Sequence, residues 1–275
     1  MKIIDITKAS ATQDGAGVKI SRVADFSGKG LDPFLMIDEL KSDDKNDFIG
    51  GFPAHPHRGI ETFTYMIKGG FEHQDQMGNK KAILEGDVQW MSTGFGVVHS
   101  EMPIASDDGM HGFQIWVNMP AKDKLRDPMY KDSVATPLPV IQLGQGSYLK
   151  ALAGTWAIED SEVRSPLSEL SADAAIADLR IKQGQTIRID RSAYEQAFVY
   201  IHSGEINDVK AAHLIRVDSS QPLIFTAKED AGALIFSGNK IREKIAHMGP
   251  FVMNTQAELR QAVEDYHAGR MGTID

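Results

Sequence analysis

An all-β fold built in two similar halves is what this sequence predicts, and three observations carry the prediction. Short runs with β-like composition recur along the chain, separated by glycine pairs and polar turns. Glycine is abundant, at 25 of 275 residues, while patterns long enough for helices are scarce. The two halves match in length and turn spacing, which indicates an internal duplication. With 42% hydrophobic residues the chain buries a substantial core, as one large domain or two of about 130 residues each. A sandwich or a barrel satisfies all of this.

In the first half the strand-like runs are 17–23, 60–68, 87–91 and 113–118, and residues 76–80 form a hairpin tip between two of them. Residues 120–139 are charged and carry Pro120, Pro128, Pro137 and Pro139, the composition of a linker. A boundary between 134 and 135 follows, giving domains 1–134 and 135–275. The second half continues with runs at 177–181, 186–189, 197–201, 222–226 and 233–236. Residues 63–70 and 198–205 are comparable strand-to-glycine-turn units, but only the first follows a His-x-His pair. At the end, Thr255-Gln256-Ala257-Glu258 is a capping box, and Leu259, Ala262, Val263 and Tyr266 repeat at helical spacing. One short closing helix is expected, with Gly269 as its stop.

Composition excludes several functions. The formal charge is −9, and no run of lysine and arginine tracks a phosphate backbone, so direct nucleic-acid binding is not expected. The amino terminus has no apolar leader, and nowhere do eighteen apolar residues run together. A cytoplasmic protein without a membrane segment is the expectation. There is no cysteine, which removes disulfides, thiolate ligands and thiol nucleophiles, so any metal is held by nitrogen and oxygen.

Two segments supply those atoms: His55-Pro56-His57 and His99-Ser100-Glu101. On a strand, side chains at i and i+2 share a face, so each segment aims two donors at one point. Three imidazoles and one carboxylate suit one divalent transition metal, and an octahedral ion keeps two positions for water, substrate or dioxygen. Fe(II) is the first choice, with Mn, Cu, Ni, Co and Zn as alternatives. Glu61 also alternates onto a plausible inward face, and spacing alone does not choose between it and Glu101. Gln114, Trp116 and Asn118 share one face of their strand and are candidates to orient a substrate or a ligand, although Trp116 equally suits the core. Arg58 points away from the histidines and reads as structural, paired with an acid. Met66, Met91, Met102 and Phe95 are weak pocket candidates. His73 lies beside the hairpin tip, where a solvated or turn-bonding role is expected. His111, His202, His213, His247 and His267 are assigned structural or surface roles.

Asp32-Pro33-Phe34-Leu35, Phe52-Pro53-Ala54-His55-Pro56-His57-Arg58-Gly59-Ile60-Glu61-Thr62, Gly86-Asp87-Val88-Gln89-Trp90-Met91, His99-Ser100-Glu101-Met102-Pro103 and Gly249-Pro250-Phe251-Val252-Met253-Asn254-Thr255 together closely resemble the pirin family. The resemblance implies two tandem cupin barrels, of the double-stranded β-helix or jelly-roll type, with the metal in the amino-terminal one and a degenerate carboxy-terminal one. It implies His55, His57, His99 and Glu101 as ligands, with Glu61 a neighbour. It also implies an oxidoreductase of quercetin 2,3-dioxygenase type, acting on a small aromatic substrate with dioxygen, in which Glu101 accepts the substrate proton. The competing implication is a metal-containing regulator that binds a protein partner, a transcription factor or a metabolic enzyme.

Overall fold

The structure is a computed structural model that describes residues 1–26, 30–104 and 109–274. In chain order its strands are β1 (Ile3–Lys8), β2 (Ser10–Asp14), β3 (Val18–Ala24), β4 (Phe34–Ser42), β5 (Phe52–His57) and β6 (Ile60–Lys68). They continue with β7 (Phe71–Asp75), β8 (Lys80–Ile83), β9 (Val88–Ser92), β10 (Val97–Pro103), β11 (Met110–Asn118) and β12 (Met129–Asp132). The second series is β13 (Val140–Gln142), β14 (Tyr148–Ala153), β15 (Thr155–Ile158), β16 (Ser161–Arg164), β17 (Ala174–Ile181), β18 (Thr186–Ile189) and β19 (Gln196–Ser203). Then come β20 (Glu205–Ile206), β21 (Val209–Lys210), β22 (His213–Val217), β23 (Leu223–Thr226), β24 (Ala231–Gly238), β25 (Ala246–Met248) and β26 (Phe251–Met253). A single α-helix, α1 (Gln256–His267), follows among the described residues.

These elements form two compact units. One comprises Ala11–Gly30, Phe34–Ala135 and Ile241–Asp275; the other comprises Met1–Ser10, Leu31–Pro33 and Thr136–Lys240. The units depart from the linear division at 134 and 135 at both chain ends. The cause is pairing: β1 lies antiparallel to β22 and so joins the second unit. In the first unit, the backbone of Val252 on β26 donates to the Arg58 carbonyl at 3.1 Å, and α1 follows β26 there. The closing helix therefore packs with the first histidine pair, not with the half that its sequence position assigned it to.

In the histidine-bearing unit, a seven-stranded sheet in the order β12-β9-β6-β11-β4-β3-β2 accompanies a four-stranded sheet, β5-β10-β7-β8. Strand alternation gives each sheet an inner row, and one row is polar. Arg22 pairs with Asp38 across β3 and β4, Asp38 with Gln114 across β4 and β11, Gln114 with Thr64 across β11 and β6, and Thr64 with Gln89 across β6 and β9. Directly opposed residues project from the same face, so five strands carry one continuous polar row. Apolar residues such as Ile20, Leu40, Met66, Phe71 and Met110 fill the end of this unit beyond the row.

Residues 120–139 are ordered. β12 extends the large sheet beside β9, and Lys124, almost fully buried, donates to the Gly59 carbonyl, Asn118 Oδ1 and the Val252 carbonyl at 2.6, 2.8 and 2.9 Å. Of the charges in this stretch, Lys124 and Arg126 act as inward donors, while Lys122 and Asp127 stay exposed. Gly59 explains its own identity: its φ is +80°, and a Cβ there would sit 2.2 Å from the Val252 carbonyl oxygen.

The second unit has its own seven-stranded sheet, β1-β22-β19-β24-β17-β14-β13, with the small pair β18-β23. Its interior is apolar, packed with Leu149, Ala177, Leu179, Val199, Ile201, Phe225 and Ile235. No polar row crosses this core. Hence this half carries the fold without a metal-type cluster among its described residues.

Candidate metal centre

β5 and β10 run antiparallel with His99 opposite His55 and Val97 opposite His57. Alternation puts all three imidazoles on the inner face, with ring centroids 4.4 to 5.1 Å apart. One ring nitrogen from each lies within 4.8 Å of the others. His55 Nδ1 donates to the Pro53 carbonyl at 2.8 Å and His57 Nδ1 to the Pro250 carbonyl at 3.3 Å. A carbonyl only accepts, so each Nδ1 holds the hydrogen and each Nε2 presents its lone pair inward. Those two Nε2 atoms stand 3.0 Å apart.

This donor set fits a metal ion on two observations. Two facing lone pairs repel unless a cation or a proton lies between them. Both nitrogens of His99, only 1% exposed, have no hydrogen-bond partner, a costly arrangement for a buried imidazole unless one of them is a ligand. Burial, and after it the nearby His55, holds His57 and His99 well below the ordinary 6.5. Near pH 7 both are neutral, the state that binds a metal. The three imidazoles, nitrogen donors from two facing strands, form a triad capable of binding a divalent metal.

Glu101 lies two residues beyond His99, after a register irregularity that leaves it opposite Phe52. The three-imidazole group does not include its carboxylate. Three neutral donors from the polar row hold it: Thr64 Oγ1 and Gln89 Nε2 donate to Oε1, and Gln114 Nε2 donates to Oε2 at 2.6 Å. Thr64 and Gln89 therefore belong to the site, although neither stood out in the sequence. Glu61 lies elsewhere, wholly buried with Arg126 Nη2 at 3.1 Å. Asn118 engages Lys124 and does not line the cavity, whereas Gln114 and Trp116 do.

The centre opens on a cavity of about 790 Å³. From His57 an aromatic wall runs outward: Trp116 meets His57 edge-on at 5.1 Å, Phe26 meets Trp116 edge-on at 6.2 Å, and His247 stacks on Phe26 at 3.8 Å. His247 thus lines the site despite its place late in the chain, because β25 belongs to this unit. His73 is another correction. It is fully buried on the inner side of β7, with Nε2 3.0 Å from Asp75 Oδ2, its ring 5.5 Å from His99 and stacked on Tyr130 at 4.7 Å. The inward alternation Phe71, His73, Asp75 marks it as internal. Of the methionine and phenylalanine candidates, Met66 and Met91 are core, Met102 is exposed, and Phe95 stacks on the Arg58 guanidinium at 4.2 Å.

Two β-barrels, one of them enclosing a three-imidazole group that can hold a metal, define a bicupin. The pirin family model matches residues 17–117 and the pirin C-terminal cupin domain matches 176–272, so the chain belongs to the pirin family. A Vibrio cholerae protein named "Putative quercetin 2,3-dioxygenase" is 43% identical over 269 residues, covering 96% of this chain and 95% of its own. The crystal structure of quercetin 2,3-dioxygenase from Acinetobacter baumannii is 28% identical, with a TM-score of 0.87 over 100% of this chain and 99% of that one. A bacterial pirin from Escherichia coli, solved in complex with nickel(II), is 22% identical and shares the fold, with a TM-score of 0.66 over 86% of this chain and 98% of that one. No helix among the described residues is long and apolar enough to cross a membrane.

Proposed function

We propose that this chain is a metal-dependent dioxygenase that cleaves planar aromatic substrates of the flavonol type, quercetin among them. The observation that carries it is His99, buried with two unpartnered nitrogens against His55 and His57, which themselves line a cavity roomy enough for a multi-ring aromatic. The relatives named as quercetin dioxygenases support the substrate class. His55, His57, His99 and Glu101 form the proposed ligand set, with Fe(II) as the metal that matches dioxygen chemistry. When bound, the metal supplies Lewis acidity to the substrate hydroxyl and a route to dioxygen.

The protein's own residues do the rest. Trp116 and Phe26 offer apolar surface to the substrate rings and keep water from them. Gln114, Thr64 and Gln89 hold Glu101 in one orientation. Oε1 already accepts two hydrogen bonds and Oε2 one, so Oε2 is the atom with capacity to take the substrate hydroxyl proton.

The test is oxygen uptake and loss of quercetin absorbance after anaerobic loading with Fe(II), beside His57→Ala and Glu101→Gln. Turnover in the wild type that falls at least a hundredfold in both variants is the expected outcome. Absence of turnover with a fully loaded site, across iron, manganese, nickel, cobalt and copper, would reject the enzyme and favour a regulator that binds a protein partner.

A further inference from the structure

Arg22 brings to the cavity a hydrogen-bond donor that the mechanism above leaves unused. It stands at the far end of the polar row from Gln89, on β3. Its Nε and Nη2 donate to the two oxygens of Asp38 at 2.9 and 2.8 Å, and Nη2 also reaches Asp14 at 3.1 Å. A forked pair of this kind fixes the guanidinium plane. Nη1 takes no part in the network. The Arg22 side chain, 26% exposed, lines the same cavity as His55, His57, Glu101 and Gln114.

Such a pair is a poor way to stabilise a fold. Asp38 is only 3% exposed, and removing two charges from water costs about as much as their attraction returns. The pair is better suited to recognition, where a preset donor loses little freedom on binding. Position supports this. Arg22 and Gln114 lie on strands separated only by β4, so their backbones are about 10 Å apart, two strand spacings. Gln114 touches Glu101, the end at which the substrate hydroxyl is activated. A rigid multi-ring molecule with its reacting oxygens there extends its far ring toward Arg22.

We infer that Arg22 is a substrate-binding, specificity-determining residue whose Nη1 donates to a hydroxyl oxygen on the far ring of a planar polyphenol. The inference rests on the functional reading above. It also names the group selected. Asp14, Asp25 and Asp38 line the same cavity as the Arg22 guanidinium. A phenolic hydroxyl accepts from arginine while donating to a neighbouring carboxylate, whereas a carboxylate or sulfate substituent meets, among the described residues, three acids against one arginine.

The experiment compares quercetin with 3-hydroxyflavone, which keeps the reacting hydroxyl and carbonyl but lacks the distal hydroxyls. Each is titrated anaerobically, by absorbance, into nickel-loaded wild type and Arg22→Met. Loss of a hydrogen bond to a charged donor weakens quercetin binding about tenfold or more and leaves 3-hydroxyflavone within about twofold. Equal loss for both flavonols, or no loss for quercetin, overturns the inference and leaves the dioxygenase reading standing. Wild type that holds nickel but binds neither flavonol overturns the substrate reading and this inference with it. Arg22→Met strands the buried Asp38 carboxylate; where that variant fails to fold, Arg22→Met with Asp38→Leu removes both charges and carries the same comparison.

Discussion

Both nitrogens of His99 are buried without a hydrogen-bond partner, and that single imbalance gives the metal-free protein a distinctive acid response. His57 and His99 are held neutral in the fold, well below 6.5, chiefly by burial. In the unfolded chain each binds a proton as pH falls through about 6.5. Below that pH the unfolded state holds more protons than the native one, so stability falls with acid until the depressed native values are reached. The expected slope is about 1.4 kcal/mol per pH unit for each histidine. Denaturant melts of metal-free protein between pH 7 and 5 measure it, and His99→Asn should remove about half of the slope attributed to the pair. An unchanged slope in that variant would place the acid sensitivity elsewhere. At this scale the three histidines of the cluster were legible, because His55 and His57 at i and i+2 advertise a shared face. Thr64 and Gln89 were not, since nothing local distinguishes an inward threonine or glutamine from any other until a carboxylate on another strand meets it.

Among the elements, α1 shows how local sequence and remote packing divide the work. Thr255 Oγ1 accepts from the Glu258 backbone at 3.2 Å, so the N-cap formed as its sequence indicates, while the Glu258 carboxylate reaches back one residue further, to the Asn254 N–H at 3.1 Å. What the helix docks against was invisible. Asp265 joins Arg58 at 2.7 Å and Arg270 at 2.5 Å, and Arg58 is the residue next to His57 of the imidazole cluster. Burial alone would raise the Asp265 carboxyl, but hydrogen bonds from Gln261, Arg58 and Arg270 together outweigh it and bring it down to about 2. This contribution is complete above about pH 4, the unfolded value, and is lost as pH falls from about 4 to about 2. Asp265→Asn leaves Arg58 buried without its counter-ion, for an expected loss of about 3 kcal/mol or more. Thermal melts at pH 7 and pH 3 should show the variant's deficit shrinking in acid. A deficit equal at both pH values would mean that the ion pair does not hold the helix.

For the whole molecule, a metal bound at the three-imidazole cluster would link residues distant in sequence. His57 alone touches four segments: β5 itself, His99 on β10, Trp116 on β11, and Pro250 just before β26. An ion that binds only the folded arrangement stabilises it by about 2.7 kcal/mol at a hundredfold excess over its Kd. A rise in Tm of about 5 °C or more follows for a chain of this size. Differential scanning fluorimetry with added Ni(II) or Co(II) measures it, and His57→Ala should show no rise. An equal rise in that variant would place the ion outside the three-imidazole centre. The second unit has an apolar interior, and among the described residues it holds no comparable histidine cluster.

The sequence by itself determined the β architecture in two similar halves, the closing helix and the three histidines. Each is written in short-range order: alternation at two residues, a capping box at three, and His-x-His on one strand face. The tertiary structure decided what those elements meet. It exchanged the chain ends between units through β1 and β26, placed His73 and His247 at the site, and turned Lys124 and Arg126 inward from an apparent linker. It also aligned Arg22, Asp38, Gln114, Thr64 and Gln89 into one row across five strands. Strand register sets that row, and register follows from the pairing of segments far apart in the chain, which no local pattern encodes.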